Sequence, residues 1–437
     1  MIPPDVFARY AAMRVPRYTS YPTAPNFSSA IDAIEYRRWL RSFDGGSPVS
    51  VYLHIPFCRQ MCWYCGCHTT VTHRQPPVSR YVDSLVKEIL LVASELRARP
   101  RIGHLHWGGG SPTLLTPSDV QRIRDALAEA FAVDPLAENT VEVDPRTLTK
   151  PLASAFAGAG VNRASVGVQS FDPRVQAAIN RVQSFATTAA AVQMLRDCGM
   201  PGINFDLIYG LPFQTARSCV DTVERAIELQ PNRLSVFGYA HVPSFKAHQR
   251  KIDEASLPGS AERAEQAEAI ALALTAAGYR QIGLDHFALP GDSLALAAER
   301  GMLHRNFQGY TTDACADLIA FGASAIGRLP QGFVQNATKI PDYERHIAEG
   351  RLATVRGCRV SDEDSRRGKI IEQLMCNYRA RIGPTDAPLR ELEVDGLIRR
   401  SGSWVEVTEE GRPLVRAVAA AFDSYLPSST AAHVAAI

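Results

Sequence analysis

The chain alternates short β-rich runs with helical periodicity between about residue 48 and about residue 240. The segments between these runs repeat apolar residues every three or four positions, as amphipathic helices do, and one of them opens with Thr116 and Pro117, a typical N-cap and first-turn proline. Strand–helix units in series require parallel pairing and right-handed crossovers. The pattern therefore predicts an α/β fold with a partial parallel (β/α)6 barrel, whose strands are residues 49–55, 102–107, 140–143, 163–168, 203–208 and 233–239.

Four cysteines follow the first predicted strand: Cys58, Cys62, Cys65 and Cys67. The first three have the spacing CxxxCxxC, which suits a 4Fe-4S cluster because three thiolates leave one iron open to another ligand. An open iron can hold the amino and carboxylate groups of S-adenosylmethionine, so the spacing indicates radical chemistry. Structural zinc or reactive thiols are the alternative, although zinc sites usually pair two ligands with a distant second pair.

The composition of the chain limits its domain number, its cellular compartment and its partners. A length of 437 residues exceeds what one hydrophobic core organises and predicts a large and a smaller domain. The other five cysteines are scattered, which favours a reducing compartment over a disulfide framework. A formal charge of +2 gives no strong nucleic-acid signal. Without a signal-like start or a membrane-length apolar run, we expect no membrane partner and a cytoplasmic location.

Polar residues cluster where the predicted strands end. Glu142 alternates with two valines and so turns away from them, and Ser165, Gly167 and Gln169 share one face of the next strand. Any of these side chains could simply be a satisfied core residue. Because sites in parallel barrels lie at the carboxyl ends of the strands, their joint placement favours a common pocket. The positions are Gly108, Gly109, Gly110, Ser111, Glu142, Ser165, Gly167, Gln169, Asn204 and Asp206.

Besides the cysteine loop, the chain contains several longer motifs. They are Trp-Gly-Gly-Gly-Ser-Pro-Thr at 107–113, Glu-Val-Asp-Pro-Arg at 142–146, Gly-Val-Gln-Ser-Phe at 167–171, Asp-Leu-Ile-Tyr-Gly-Leu-Pro at 206–212, Tyr-Ala-His-Val-Pro at 239–243, Arg-Tyr-Thr-Ser-Tyr-Pro-Thr at 17–23 and Leu-His-Arg-Asn-Phe-Gln-Gly-Tyr-Thr-Thr at 303–312. These motifs are long enough to be specific. Together they resemble the radical S-adenosylmethionine family and, within it, the oxygen-independent coproporphyrinogen III oxidases of haem biosynthesis, from about residue 14 to about residue 425.

The resemblance implies a reaction and its cofactors. Two propionates of coproporphyrinogen III would become vinyl groups, giving protoporphyrinogen IX, after hydrogen abstraction by a 5′-deoxyadenosyl radical. One 4Fe-4S cluster, S-adenosylmethionine on its open iron and a second S-adenosylmethionine are implied. So are a monomeric state and a low-potential electron donor such as flavodoxin or ferredoxin. The alternative is a related haem chaperone, a family without the cysteine matching Cys67 and without the 17–23 motif; the presence of both here favours the oxidase.

The resemblance also implies residue roles. Cys58, Cys62 and Cys65 would hold the cluster, and Cys67 and Tyr52 would occupy catalytic positions. The first S-adenosylmethionine pocket would include Tyr52, Gly109, Glu142 and Ile326. The second would include Tyr64, Gly110, Ser111, Gln169, Arg181, Asp206 and Ala240. Serine at 111 and tyrosine at 64 depart from the threonine and phenylalanine common in the family. Arg305, His304 and Arg17 are candidate partners for the substrate propionates.

The chain is predicted to have three units: an N-terminal arm over the site at 1–47, the barrel with a substrate-site extension at 48–340, and a smaller helical domain at 341–437. In the last unit, helical runs followed by the strand-like residues 404–408 are typical of a winged helix. Read alone, that would suggest DNA binding. We expect no basic cluster on the ribbon, and therefore a lid or docking role without nucleic acid.

Overall fold

The computed structural model describes residues 2–383, 389–426 and 436. The strands are β1 Val49–Ile55, β2 Phe57–Cys58, β3 Thr70–Val71, β4 Arg101–Gly109, β5 Ala132–Val143, β6 Arg163–Gln169, β7 Gly202–Tyr209, β8 Arg233–Gly238, β9 Arg280–Ile282, β10 His286–Ala288, β11 His304–Asn306, β12 Gly309–Thr311, β13 Asp317–Phe321, β14 Ile326–Leu329, β15 Gly332–Asn336, β16 Thr354–Arg359, β17 Arg379–Arg381, β18 Ile398–Ser401 and β19 Trp404–Val407.

The α-helices are α1 Pro4–Ala11, α2 Ala33–Ser42, α3 Pro76–Glu95, α4 Pro117–Ala130, α5 Lys150–Gly158, α6 Pro173–Ala178, α7 Phe185–Asp197, α8 Ala216–Glu228, α9 Ser260–Ala276, α10 Ser293–Glu299, α11 Ile340–Ala348, α12 Asp362–Asn377, α13 Arg390–Val394 and α14 Val415–Ala420. Short 3-10 turns are Ala24–Asn26, Pro112–Leu114, Ala247–Lys251, Glu254–Ser256 and Arg412–Leu414.

Among the described residues, twelve strands form one mixed sheet. Its centre is parallel, in the order β13, β1, β4, β5, β6, β7, β8. Antiparallel strands extend both sides: β14, β15 and β16 beyond β13, and β10 and β9 beyond β8. All six predicted strands are present, and the prediction of a partial parallel barrel is confirmed.

The main hydrophobic core lies between this sheet and the helices on its outer face. Alternate residues of the strands point outward into it; on β1 these are Val49, Val51, Leu53 and Ile55. The residues between them face the barrel interior, which is polar. The α4 helix begins at a capping box in which Thr116 and Asp119 exchange hydrogen bonds, which confirms the predicted N-cap. No described helix is long and apolar enough to cross a bilayer.

A second hydrophobic core belongs to the C-terminal region, with α12, α13, α14 and the three-stranded ribbon β17–β19–β18. N-terminal side chains, including Tyr10, Val15 and Tyr18, complete this core. Residues 341–359, predicted to lie in the C-terminal unit, include most of α11 and all of β16, and β16 pairs with β15 of the large sheet. The division into three independent units stays a prediction.

One expectation about the ribbon is wrong. Sequence analysis recognised only β19, whereas β17 and β18 flank it and carry exposed arginines, including Arg379 and Arg399. Both are directly opposite Glu406 in the pairing, and the Arg379 guanidinium lies 4.2 Å from the Trp404 ring centroid. The ribbon therefore has a basic face, partly neutralised by its own acidic and aromatic side chains.

A buried carboxylate joins four elements beside β1. Glu88 on α3 is 2% exposed and accepts hydrogen bonds from Gly322 N at 2.7 Å, Tyr343 Oη at 2.7 Å and Asn336 Nδ2 at 2.6 Å. Burial raises its pKa to about 7, against the opposing effect of these three donors. The network holds the turn between β13 and β14 against α3 and α11.

This raised pKa makes stability depend on pH. The carboxyl of Glu88 has a pKa near 4.5 in the unfolded chain, so in the folded protein it stays protonated to higher pH. The folded protein therefore loses stability relative to the unfolded chain as pH rises from about 4.5 to about 7. Relative to wild type, Glu88→Gln should gain about 3 kcal/mol of unfolding free energy across that window, because glutamine does not titrate. Urea unfolding of both proteins across the window tests this. A difference that stays constant with pH would contradict it.

Candidate active site

The cysteine loop follows the carboxyl end of β1, and hydrogen bonds hold both its ends and its middle in place. Its ends are closed by the parallel pair β2–β3. In the middle, Trp63 N donates to Ile179 O at 2.9 Å, and Asn180 Nδ2 donates to Met61 O at 2.9 Å. Backbone hydrogen bonds of this kind fix a loop that has little regular structure of its own. The loop is thus held over the barrel opening, as predicted.

Donors converge on the thiols. Thr69 Oγ1 donates to Cys58 Sγ at 3.2 Å. The guanidinium groups of Arg146 and Arg181 point at Cys62 Sγ, at 3.8 and 3.7 Å. Cationic donors aimed at sulfur stabilise the thiolate form that a metal cluster requires. The donor set therefore fits an iron–sulfur cluster.

Cys67 lies beside Cys65, and its backbone N–H donates to Cys65 Sγ at 3.4 Å. Hydrogen bonding from Cys67 lowers the pKa of Cys65 to about 7. Cys67 is exposed to solvent. In the described chain, no three His, Cys, Asp or Glu side chains gather closely enough to hold a single metal ion.

The glycine turn after β4 runs directly beneath this loop. Gly109 has φ +122°, and a Cβ there would lie 2.8 Å from the backbone of Ile55. At Gly110 a Cβ would lie 2.3 Å from Thr69 Oγ1 and 2.7 Å from Phe57 O. Any side chain at these two positions would push the cysteine loop away from the strand ends. The glycines therefore set the distance between the loop and the barrel.

Glu142, on β5, faces the opening with about a third of its side chain exposed. It accepts from Gly109 N at 3.1 Å and lies 3.0 Å from His106 Nε2. The His106 ring stacks on Tyr52, with ring centroids 5.8 Å apart, and Tyr52 Oη lies 2.9 Å from His54 Nδ1. These contacts orient the carboxylate and the phenol toward one side of the cleft. The structure thus brings together the predicted residues Tyr52, Gly109 and Glu142.

Asp206 forms a second polar centre, on β7. Its carboxylate accepts from Ser165 Oγ at 2.9 Å and from Asn204 Nδ2 at 3.0 Å. Burial raises its pKa to about 7, more than these two donors lower it. A half-buried acid whose hydrogen-bond donors are both neutral can accept a further hydrogen bond.

Arg181 connects the two halves of the cleft. Its Nη2 donates to Gly167 O at 2.8 Å, and its Nη1 lies 3.5 Å from Asp144 Oδ2. Burial alone would lower the pKa of Arg181, but Tyr64, Asp144 and Cys62 raise it overall. This guanidinium stays charged beside the cysteine loop and the end of β6.

The loop after β8 closes the cleft on its far side. Gln249 Nε2 donates to both Tyr64 O and Ala240 O, at 3.0 and 3.2 Å. His248 Nε2 lies 2.7 Å from Cys65 O. The predicted site residues Tyr64 and Ala240 therefore lie close together, because the side-chain amide of Gln249 bonds to both backbone carbonyls.

Three predicted residues sit differently. Ser111 is buried, and its Oγ lies 2.7 Å from Thr113 Oγ1, so this hydroxyl already has a protein partner. Gln169 ends β6 in the left-handed region, with φ 70°. Ile326 begins β14, separated from β1 by β13. Gln169 and Ile326 lie at strand ends, and the Ser111 hydroxyl bonds to Thr113 within the glycine turn.

Arg17 and Arg305, predicted partners of propionates, come together near the ends of β7 and β8. Arg17 Nη2 donates to Gly238 O at 3.0 Å, and Arg305 Nε donates to Arg17 O at 3.3 Å. Arg263 Nη1 donates to Tyr239 O at 2.9 Å. Burial lowers the pKa of Arg17; Asp285 opposes this and Arg305 adds to it. Cationic charge thus exceeds anionic charge on this side of the cleft. We call the group Arg17, Arg263 and Arg305 the arginine wall.

Within the described residues, Arg305 Nη1 is buried without a hydrogen-bond partner, and its nearest acid, Asp285, is 4.0 Å away. His304 points elsewhere and lies 3.2 Å from Glu372 on α12. The structure therefore separates His304 from the two arginines with which it was grouped.

Sequence reasoning missed His54, His106, Arg146 and Arg263. The two histidines had a signal, because they occupy alternate positions facing the barrel interior, next to recognised site residues. Arg146 stood inside a recognised motif. Arg263 lies on α9, far along the chain, and carried no local signal.

Comparisons with known proteins agree with this geometry. Residues 52–226 match the model of the radical SAM superfamily. The chain is 52% identical to an oxygen-independent coproporphyrinogen III oxidase of Bradyrhizobium diazoefficiens, with 99% of each chain covered. It is 43% identical to one of Cereibacter sphaeroides, with 94% of each covered.

A solved structure of the coproporphyrinogen III oxidase from Escherichia coli, described as a radical SAM enzyme, superposes with a TM-score of 0.89 at 37% identity. The match covers 94% of this chain and 100% of that one. These relatives are named as oxidases, which supports the oxidase reading over the haem-chaperone alternative. The chain belongs to the oxygen-independent coproporphyrinogen III oxidases, within the radical SAM superfamily.

Proposed function

We propose that this chain catalyses the oxygen-independent oxidative decarboxylation of two propionates of coproporphyrinogen III to vinyl groups, giving protoporphyrinogen IX. The observation that carries the proposal is the meeting, at one end of the barrel, of a three-thiol loop, two carboxylates and an arginine-rich wall. The oxidase names of relatives that span nearly the whole chain support it.

Cys58, Cys62 and Cys65 hold the 4Fe-4S cluster in this proposal. When bound, the cluster and S-adenosylmethionine supply a 5′-deoxyadenosyl radical, which abstracts hydrogen from the substrate. Arg146 and Arg181 lower the electrostatic cost of thiolates in the cleft by donating toward Cys62. The backbone N–H of Cys67 donates to Cys65 Sγ, and we assign the Cys67 side chain a role in turnover rather than in cluster ligation.

We assign two S-adenosylmethionine positions to the two polar centres. The Glu142 carboxylate bonds to Gly109 N and to His106, and it has further lone pairs that can accept a hydrogen bond from an ammonium group. Asp206, with neutral donors only, suits ribose hydroxyls. The first position is assigned Tyr52, Gly109, Glu142 and Ile326. The second is assigned Tyr64, Gly110, Ser111, Gln169, Arg181, Asp206 and Ala240.

The arginine wall binds the substrate carboxylates. Among the described residues, Arg305 Nη1 has no hydrogen-bond partner, and Arg17 is exposed. Arg263 extends the wall toward Ala240 through its contact with Tyr239. Guanidinium groups recognise carboxylates with directional, often paired hydrogen bonds. We further propose a cytoplasmic monomer that takes electrons from a low-potential carrier; nine free cysteines are consistent with a reducing compartment.

Replacing Cys62 by serine should abolish both the visible absorbance of the cluster and the cleavage of S-adenosylmethionine, because a hydroxyl is a poor ligand for cluster iron. Cys67→Ser is the matched control on the same loop. It should retain iron and lose substrate turnover. Iron and sulfide analysis after anaerobic reconstitution tests both. Full loading and cleavage in Cys62→Ser, or cluster loss in Cys67→Ser, would show that the two roles are misassigned.

Removing either carboxylate should weaken one binding position. Glu142→Ala at the first position and Asp206→Ala at the second should each cost about 1.5–3 kcal/mol of S-adenosylmethionine binding. Wild-type affinity at the second position should rise as pH passes upward through about 7, because the ionised Asp206 is the better acceptor. Asp206→Asn should remove that pH dependence. Equilibrium dialysis of reconstituted proteins measures both effects, and unchanged occupancy would make the carboxylates structural.

An isotope experiment tests the reaction itself. Coproporphyrinogen III deuterated at the propionate β-carbons should yield deuterated 5′-deoxyadenosine, with carbon dioxide and vinyl groups formed in step. A methyltransferase would add a methyl group instead, and a haem chaperone would bind porphyrin without any transfer. Mass spectrometry after anaerobic turnover with dithionite distinguishes these. Unlabelled deoxyadenosine from protein with an intact cluster would falsify the proposed function.

A further inference from the structure

The outer side of the cysteine loop, away from the cleft, forms a surface rich in positive charge. We define this surface, the loop face, by Arg59, Trp63, Arg174, Arg250 and Lys251. Arg174, Arg250 and Lys251 are exposed, and Arg59 is half-buried. These residues come from the loop itself, from α6 and from the 3-10 turn after β8. The proposed active site uses none of them.

Direct contacts place these elements side by side. Lys251 Nζ lies 5.8 Å from the centroid of the Trp63 ring. On the loop, Arg59 Nη1 donates to Thr72 O at 3.1 Å. Trp63 N–H is bonded to the residue that ends α6, Ile179. The cysteine loop, the end of α6 and the 3-10 turn therefore adjoin one another at Trp63, the residue after Cys62.

Acidic groups do not cancel this charge. Asp253 and Glu254 lie at the edge of the loop face and are exposed. Asp253 caps the next 3-10 turn by accepting from Ala255 N, and Glu254 Oε1 lies 3.0 Å from His241 Nε2. Asp172 is occupied as the N-cap of α6. Four cations thus face two exposed acids that already have partners.

Exposed apolar side chains accompany the cations. Val182 is 73% exposed, and Phe213 is 38% exposed with the Arg174 guanidinium 4.0 Å from its ring centroid. Protein interfaces combine such apolar contacts with a charged rim that speeds encounter and fixes orientation. A face of this kind fits a protein partner of opposite charge.

We propose that the loop face is the docking surface for a small acidic one-electron carrier protein. The inference rests on the proposed function, which requires one electron for each S-adenosylmethionine cleaved. That electron leaves the reduced carrier, which is oxidised by one electron, and enters the cluster, which is reduced by one. Docking here places the carrier against the backbone of a proposed cluster ligand while the cleft stays free for substrate.

The test uses reconstituted full-length protein and an acidic flavodoxin as the probe. The variant Arg174→Glu/Arg250→Glu/Lys251→Glu reverses three exposed charges of the loop face. A matched control, Arg379→Glu/Arg399→Glu/Arg400→Glu, makes the same change in net charge on the basic ribbon of the C-terminal region. Binding is measured by titration of flavin fluorescence at about 20 mM and about 300 mM salt, where screening differs strongly.

We expect the loop-face variant to bind flavodoxin at least about tenfold more weakly at low salt and to lose most of its salt dependence. The ribbon variant should stay within about twofold of wild type. Turnover driven by dithionite, which needs no docking, should be equal in all three proteins. Equal flavodoxin affinity in wild type and the loop-face variant, or a loss confined to the ribbon variant, would overturn the docking surface. Absence of dithionite-driven product in wild type would instead overturn the proposed function.

Discussion

Parallel pairing of β1 with both of its neighbours is the constraint on which the site depends. The register aligns Ile55 with Gly109 across β1 and β4, and Val141 and Val143 with their partners on β6. Because all these strands run in the same direction, the cysteine loop, the glycine turn and Glu142 must emerge at one end. A shift of one residue in β5 would turn Glu142 outward into the hydrophobic core. The chemistry of the cleft is therefore fixed by backbone hydrogen bonds rather than by the site residues themselves.

The two ends of the barrel interior differ in how their charges are matched. At the amino ends, Glu138 meets both Arg163 and Arg233, at 3.2 and 3.1 Å. Burial would raise the pKa of Glu138, but His104 and these two arginines hold it well below its usual range. At the carboxyl ends, Asp206 has neutral donors and a raised pKa. The buried charges are thus paired with one another at the amino ends, whereas Asp206 at the carboxyl ends has only neutral hydrogen-bond donors.

Most of the fold could be predicted because its strands are apolar runs and its helices have clear stripes. The cysteine loop could be placed because it follows such a run directly. The ribbon strands β17 and β18 were missed because arginines alternate in them with few apolar residues, so no hydrophobic pattern marks them. The arginine wall was only partly foreseen: Arg17, Arg263 and Arg305 meet through tertiary packing of distant segments. Nor could spacing show that the Ser111 hydroxyl would bond to Thr113.

The position of Arg17 links the C-terminal region to the site. Arg416 donates to Pro16 O at 3.1 Å, and Tyr18 Oη donates to Asp423 at 3.1 Å, so the residues on both sides of Arg17 are tied to that region. Tyr18 also adopts φ 46°, a conformation that a tyrosine keeps only when its surroundings hold it there. The C-terminal core thus holds the arm in a conformation that presents Arg17 to the cleft. A helical region with no residue of its own among the proposed ligands thus fixes the position of an arginine that we propose binds a substrate carboxylate.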